Sequence, residues 1–207
     1  MAGRKAWRVS FWPLLSLALL AAGEPIPAAA QAVRGAAAEP PAETLAACAA
    51  CHGPAGHSPS PQFPSLAGQP KLFVENQLVL IREGLRDVPS MKTVMAGMGD
   101  EAIIALALYF SAQTPPRITA SATPQRYRQG AQVSQRMLCG TCHLGDYRGQ
   151  QQVPRLAGQN ELYLLQAMKQ FRDHPGPGRD TLMSEALQGL GDDDLASLAH
   201  YLSHYSP

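Results

Sequence analysis

The chain has 207 residues, 45 % of them apolar, with 17 basic and 16 acidic side chains. A formal charge of +1 over that length leaves no electrostatic footprint for nucleic acid or for an anionic lipid surface, which excludes partners recognised by charge alone. Four cysteines occur, and all of them fall in two five-residue runs.

The amino-terminal segment reads as an export leader. Arg4, Lys5 and Arg8 form a basic start, Val9 to Ala22 is largely apolar, and Ala30-Gln31-Ala32 supplies the small-x-small pattern that signal peptidase accepts. Residues 1–32 are therefore expected to be a signal peptide and the mature protein to be periplasmic. Pro13 interrupts an apolar stretch that is already shorter than the roughly 20 residues needed to span a bilayer, so a retained anchor fits less well. No later segment is long and apolar enough to cross a membrane. Loss of Arg4, Lys5, Arg8 and Glu24 leaves 14 basic and 15 acidic side chains.

The cysteine runs come next. Cys48-Ala49-Ala50-Cys51-His52 and Cys139-Gly140-Thr141-Cys142-His143 both have the C-x-x-C-H spacing of a covalent haem c site. Two thiols form thioethers to the haem vinyl groups and the adjacent histidine ligates the iron, so two covalently bound haem c groups are expected. A dithiol redox centre or a zinc site is the alternative, but a closed zinc tetrahedron needs four ligands and neither half offers a second C-x-x-C or an H-x-x-x-H to complete one. Structural disulfides would leave unexplained why a histidine follows both pairs. Because haem is joined to such sites outside the bacterial cytoplasm, leader and motifs agree by independent routes.

The repeat extends well beyond the cysteines. Pro64-Ser65-Leu66-Ala67-Gly68-Gln69 recurs as Pro154-Arg155-Leu156-Ala157-Gly158-Gln159, and Met98-Gly99-Asp100 as Leu190-Gly191-Asp192. Between them Phe73, Leu78, Ile81 and Arg82 answer to Tyr163, Met168, Phe171 and Arg172. Each half ends in an amphipathic helix, with Ile103, Leu106, Ala107 and Phe110 on one stripe and Leu195, Leu198, Ala199 and Leu202 on the other. Asp100 and Glu101, like Asp192 to Asp194, stand where carboxylates favour a helix N-terminus. Alternating β-branched runs are missing, so an all-α fold class is expected: two tandem helical haem domains related by internal duplication. The expected division is a first domain over 33–113, a proline-rich linker over 114–125 and a second domain over 126–207. Each domain has about 80 residues, a size at which a side-chain core is marginal and the porphyrin must form part of it.

An electron carrier needs both axial positions of each iron filled. His52 and His143 supply one ligand each, and the repeat points to the other: Met91 lies seven residues before Met98, and Met183 seven before Leu190. Both are expected in the loop before the terminal helix. Met95 is the rival in the first half and His174 the rival in the second, while Met98, Met137 and Met168 read as packing residues. His57 lies near the first motif, and His200 and His204 fall on the last helix, where a solvated face is expected. Pro64 and Pro154 begin loops whose carbonyls could accept the free N–H of the ligand histidines, the usual second partner of a metal-bound imidazole, although a plain turn proline would look the same.

Taken together, CAACH through FPSLAGQ, Met91 and LALYF, then CGTCH through PRLAGQ, Met183 and LAHYL, the chain resembles the periplasmic dihaem cytochrome c4 family over nearly all of its mature length. The resemblance implies His/Met ligation of both irons by His52, Met91, His143 and Met183, and carbonyl acceptors at Pro64 and Pro154. It implies an electron carrier with no catalytic residues, which takes electrons from a quinol-oxidising bc-type complex or a dehydrogenase in a respiratory chain and passes them to a terminal oxidase or other acceptor. Docking to membrane complexes would then be transient. Family members carry a glycine on the first helix where the terminal aromatic approaches, and Gly130 opposite Tyr201 fits that role. The first half reads Ala38-Glu39-Pro40-Pro41 instead, so its first helix is expected to be shorter. A dedicated subunit of a periplasmic dehydrogenase is the competing reading, and a dihaem peroxidase is a weaker one because both halves carry a Met at the same place.

Overall fold

In the computed structural model residues 39–207 are described, so the leader expected over residues 1–32 lies outside them. The first half contains α1 (Ala42–His52), a 3-10 turn (Pro54–Gly56), α2 (Lys71–Arg82), α3 (Pro89–Met95) and α4 (Asp100–Ser111). The second contains α5 (Pro124–Arg136), α6 (Cys139–His143), α7 (Glu161–Asp173), α8 (Thr181–Leu187) and α9 (Asp192–Ser203). Among the described residues there is no strand, only an isolated bridge between Gln150 and Val153. Irregular chain joins the halves from Gln113 to Thr123, and α5 begins at Pro124, two residues inside the stretch expected to be linker. Proline suits that first helical position because its missing N–H has no intrahelical partner there.

Each half is built on its terminal helix. The stripe Ile103, Leu106, Ala107 and Phe110 of α4 is buried, as is Leu195, Leu198, Ala199 and Leu202 of α9. Helix α4 packs on α2, and α9 lies between α5 and α7. Burial of one such leucine stabilises the fold by about 1.5–3 kcal/mol. An arginine of the preceding long helix ties down each terminal helix in the same way. Arg82 donates from Nη1 to Met98 O at 3.1 Å and to Asp100 Oδ1 at 2.7 Å, and Arg172 donates to Leu190 O at 2.9 Å and Asp192 Oδ1 at 2.8 Å. The two ion pairs are solvent-exposed and the two carbonyl bonds part-buried, so the pairs carry register more than stability.

The halves differ at the amino-terminal helix. In the second, α5 crosses α9 at Gly130, where an added Cβ would stand 2.0 Å from Ser197 O and 2.5 Å from Tyr201 Cβ. Tyr201 then stacks edge-on against Tyr127 and Tyr147, with centroids at 4.9 and 5.7 Å. In the first half α1 runs straight through the cysteine motif and packs chiefly on the Pro54–Gly56 turn, not on α4. Only Ala42–Ala47 precedes the motif as helix, because Pro40 and Pro41 stop it extending backwards.

Gly130 yields a direct test. Gly130→Ala is expected to lower unfolding free energy in urea by about 3 kcal/mol or more, since the obstacle is backbone and cannot rotate away. Gly176→Ala, which meets nothing within 4 Å, is expected to leave it unchanged within about 0.5 kcal/mol.

Candidate haem centres

Helical spacing puts Cys48, Cys51 and His52 on one face of α1, and Cys139, Cys142 and His143 on one face of α6. Helix α6 is entered through Leu138 (φ 56°, left-handed) and left through Leu144 (φ 68°, ψ 160°), two positive-φ residues that isolate it as a single turn. Cys48 and Cys139 are half-buried, Cys51 and Cys142 exposed, and none of the four forms a disulfide. Burial pushes the free thiols of Cys48 and Cys139 up.

Both histidines are buried and oriented. His52 Nδ1 lies 2.8 Å from Pro64 O, and His143 Nδ1 lies 2.9 Å from Pro154 O. A carbonyl only accepts, so Nδ1 carries the proton and Nε2 keeps its lone pair. Desolvation pushes both imidazoles below the ordinary histidine pKa, and the carbonyl bond opposes it only in part. Each ring is thus a neutral imidazole with Nε2 available, the form that ligates a metal. The ring of Phe63 stands edge-on to His52 at 6.2 Å.

The repeated P-x-L-A-G-Q segment holds that carbonyl in place. Leu66 N and Ala67 N both donate to Gly56 O, as Leu156 N and Ala157 N donate to Tyr147 O. Gly68 N donates to Phe110 O and Gly158 N to Leu202 O, tying the segment to the end of each terminal helix. In the second half the loop folds tightly over Gly149 (φ 72°), where a Cβ would lie 2.4 Å from the carbonyl carbon of Pro154. Gln69 and Gln159 reach across to the other half, a role the sequence signals only by repeating them.

Met91 and Met183 differ in setting from the expected loop. Each is the third residue of a seven-residue helix, α3 started by Pro89 and α8 capped by Asp180, whose Oδ1 accepts from Met183 N at 2.9 Å. Both are half-buried against their own domain core, Met91 beside Ile81, Met95 and Ile103. Met95 is only 1 % exposed and its counterpart Leu187 2 %, which makes them packing residues. Met168 is buried in the second core, Met98 and Met137 are half-buried, and His174 and His57 are exposed.

The expectation for His200 and His204 needs correction: His200 is buried and His204 half-buried. His200 donates from Nδ1 to Glu161 Oε2 at 2.9 Å and accepts at Nε2 from Thr123 N, also at 2.9 Å. Thr123 ends the irregular segment, so the imidazole latches that segment to α7 and α9. Ligand atoms of Glu161, His200 and His204 lie within 4.8 Å of one another, yet both ring nitrogens of His200 are committed, and a metal at Nδ1 would force an N–H at Nε2 against the Thr123 N–H. The helical stripe could not show this, because the partners come from other elements.

Two covalent haem groups fit this donor set: in each half a thiol pair on one helical turn, a neutral imidazole with an uncommitted Nε2, and a half-buried thioether. Fold and site together define a tandem helical haem c protein with one centre per half. Residues 127–206 match the family described as Cytochrome c, and residues 35–110 the family described as Cytochrome C oxidase, cbb3-type, subunit III. Cytochrome c4 of Azotobacter vinelandii is 30 % identical over 76 % of this chain and 83 % of its own length. The crystal structure of reduced recombinant cytochrome c4 from Pseudomonas stutzeri superposes with a TM-score of 0.73 at 28 % identity, over 79 % of this chain and 96 % of that one. A thiosulfate dehydrogenase electron acceptor of Thiomonas intermedia is 28 % identical over 81 % of each chain. The chain belongs to the cytochrome c4 family. It is a dihaem electron-transfer cytochrome, an electron carrier and not an enzyme, with two covalent haem c groups.

The latch predicts a selective effect. His200→Leu leaves the Thr123 N–H without its partner and takes one donor from Glu161, and is expected to lower unfolding free energy in urea by about 1–2 kcal/mol and to speed proteolysis between Gln113 and Thr123. His174→Leu, at an exposed site, is expected to do neither.

Proposed function

We propose that the chain is an exported periplasmic shuttle, receiving single electrons from a quinol-oxidising bc-type complex or a dehydrogenase and delivering them to a terminal oxidase or another acceptor. The observation that carries this reading is the doubled donor set: both halves present thiol pair, oriented imidazole and thioether in the same order. When bound, each haem iron alternates between ferric and ferrous, so each half stores one electron. Cys48 and Cys51 would hold one group covalently and Cys139 and Cys142 the other. His52 and His143 would supply the first axial ligands, Met91 and Met183 the second. The Pro64 and Pro154 carbonyls fix the imidazole planes and raise their donor power. A thioether is a weak donor that favours the ferrous state, which raises potential relative to a second imidazole.

Export rests on the leader of residues 1–32 and on haem attachment outside the cytoplasm. Partner docking would be brief and small, as redox encounters are. A second reading, a dedicated acceptor for one periplasmic dehydrogenase, is supported by the Thiomonas relative. Isolation from the periplasm separates the two: a large catalytic subunit that travels with the cytochrome favours the dedicated acceptor.

Replacing Met91 by Ala is expected to open a coordination position on one haem alone. The long-wavelength Met-to-iron band should fall to about half, carbon monoxide should bind about half of the ferrous haem, and one of two midpoint potentials should drop. Met183→Ala should do the same to the other centre, whereas Met95→Leu should leave the spectrum intact. An unaltered spectrum in Met91→Ala would move the ligand assignment elsewhere.

A further inference from the structure

The halves are joined by a reciprocal pair of glutamine clamps. From the second half, Gln159 accepts from Ser65 N at Oε1 (2.8 Å) and donates from Nε2 to Ser65 O (2.9 Å). From the first half, Gln69 accepts from Arg155 N at Oε1 and donates from Nε2 to Arg155 O, both at 3.0 Å. Gln69 and Gln159 are each 5 % exposed, and Ser65 3 %. Among the described residues no buried side-chain polar atom lacks a partner, and both polar atoms of each glutamine amide are bonded across the seam.

The clamped residues are one peptide bond away from the chemistry. Ser65 follows Pro64, whose carbonyl accepts from His52, and Arg155 follows Pro154, whose carbonyl accepts from His143. The Ser65 N–H belongs to the same peptide plane as the Pro64 carbonyl, so a bond to that N–H orients the plane and polarises the carbonyl as an acceptor. We propose that Gln69 and Gln159 are positioning residues that act in crossed fashion: each half sets the hydrogen bond of the other half's ligand histidine, and through it the other iron's potential. This rests on the ligand assignment given above for His52 and His143.

The sign follows from the imidazole. A stronger Nδ1–H···O=C bond makes the ring a better donor, which favours ferric iron; a weaker one lowers the donor power and raises the potential. Gln159→Leu removes both bonds to Ser65 with little change in volume. The centre held by His52 should then rise in electron affinity by about three- to tenfold, which is ~30–60 mV at 59 mV per tenfold for a one-electron couple. The centre held by His143, in the same half as the substitution, should move much less. Gln69→Leu should give the mirror result.

The test is a redox titration of the full dihaem protein in wild-type, Gln159→Leu and Gln69→Leu forms, with the two centres assigned through Met91→His, which should lower only the first. Proton exchange at the Nδ1–H of each ligand histidine, read by NMR in the reduced diamagnetic protein, reports the bond without reference to activity. Faster exchange at His52 with an upward shift of its centre in Gln159→Leu is the expected outcome. A shift confined to the His143 centre, an equal shift of both, or none would overturn the crossed role. If Gln159→Leu fails to load haem, Gln159→Met and Gln159→Ala are read by the same criteria, and Gln69→Leu tests the other clamp independently. A wild-type protein whose spectra lack a His/Met iron would instead undo the ligand assignment, whatever the variants show.

Discussion

The structure depends on a buried imidazole tied at one nitrogen to a proline carbonyl. That bond decides the tautomer and leaves one lone pair for iron, while burial keeps the ring neutral. It also demands that the carbonyl stay put in a loop, where backbone is ordinarily free to move. The P-x-L-A-G-Q segment answers the demand with bonds to three separate elements: two amides to the cysteine-motif loop, one to the end of the terminal helix and a side chain to the opposite half. Every one of those contacts occurs twice. The duplication is therefore a duplication of hydrogen-bond geometry, not only of residues.

Where the halves diverge, the cause is local. The second has a long α5 that crosses α9 over Gly130, which brings Tyr127, Tyr147 and Tyr201 together beneath the cysteine turn. Burial and the neighbouring Tyr147 hydroxyl push the Tyr201 phenol well above its ordinary pKa, so it stays neutral. In the first half Pro40 and Pro41 cut the corresponding helix short, and α1 takes up the motif directly. A core of about 80 residues is marginal in either case. Among the described residues, α4 has one long helix packed on it where α9 has two.

Much of this was legible in the sequence because it was written in spacing. The terminal stripes, the cysteine turns and the paired prolines are periodic or repeated, and local geometry follows from them. Met91 and Met183 could be placed by register, but not their helices, since seven-residue segments with a proline or aspartate start look like turns. His200 was misread because a helical face reveals only its own period, while its partners Glu161 and Thr123 come from α7 and the segment before α5. Gln69 and Gln159 were visible as a repeat, yet their partners lie 86 and 94 residues away, beyond any local pattern.

The same clamps bear on why two haem domains form one body instead of beads on a string. The irregular segment from Gln113 to Thr123 has the proline-rich composition of a linker, which by itself would only space the halves apart. Instead His200 pins its end, Gly68 packs under Pro115, and Asn160 donates to Ser60 O and Phe63 O at 2.8 and 2.7 Å. The Gly68 and Asn160 contacts lie in or beside the loop that carries Pro64, and the glutamine clamps hold Ser65 and Arg155, so separating the halves would free the peptides next to the carbonyls that orient the two imidazoles. Rigid association and iron tuning thus draw on one set of bonds, and a change that loosens the seam should reach the irons before it reaches the helices.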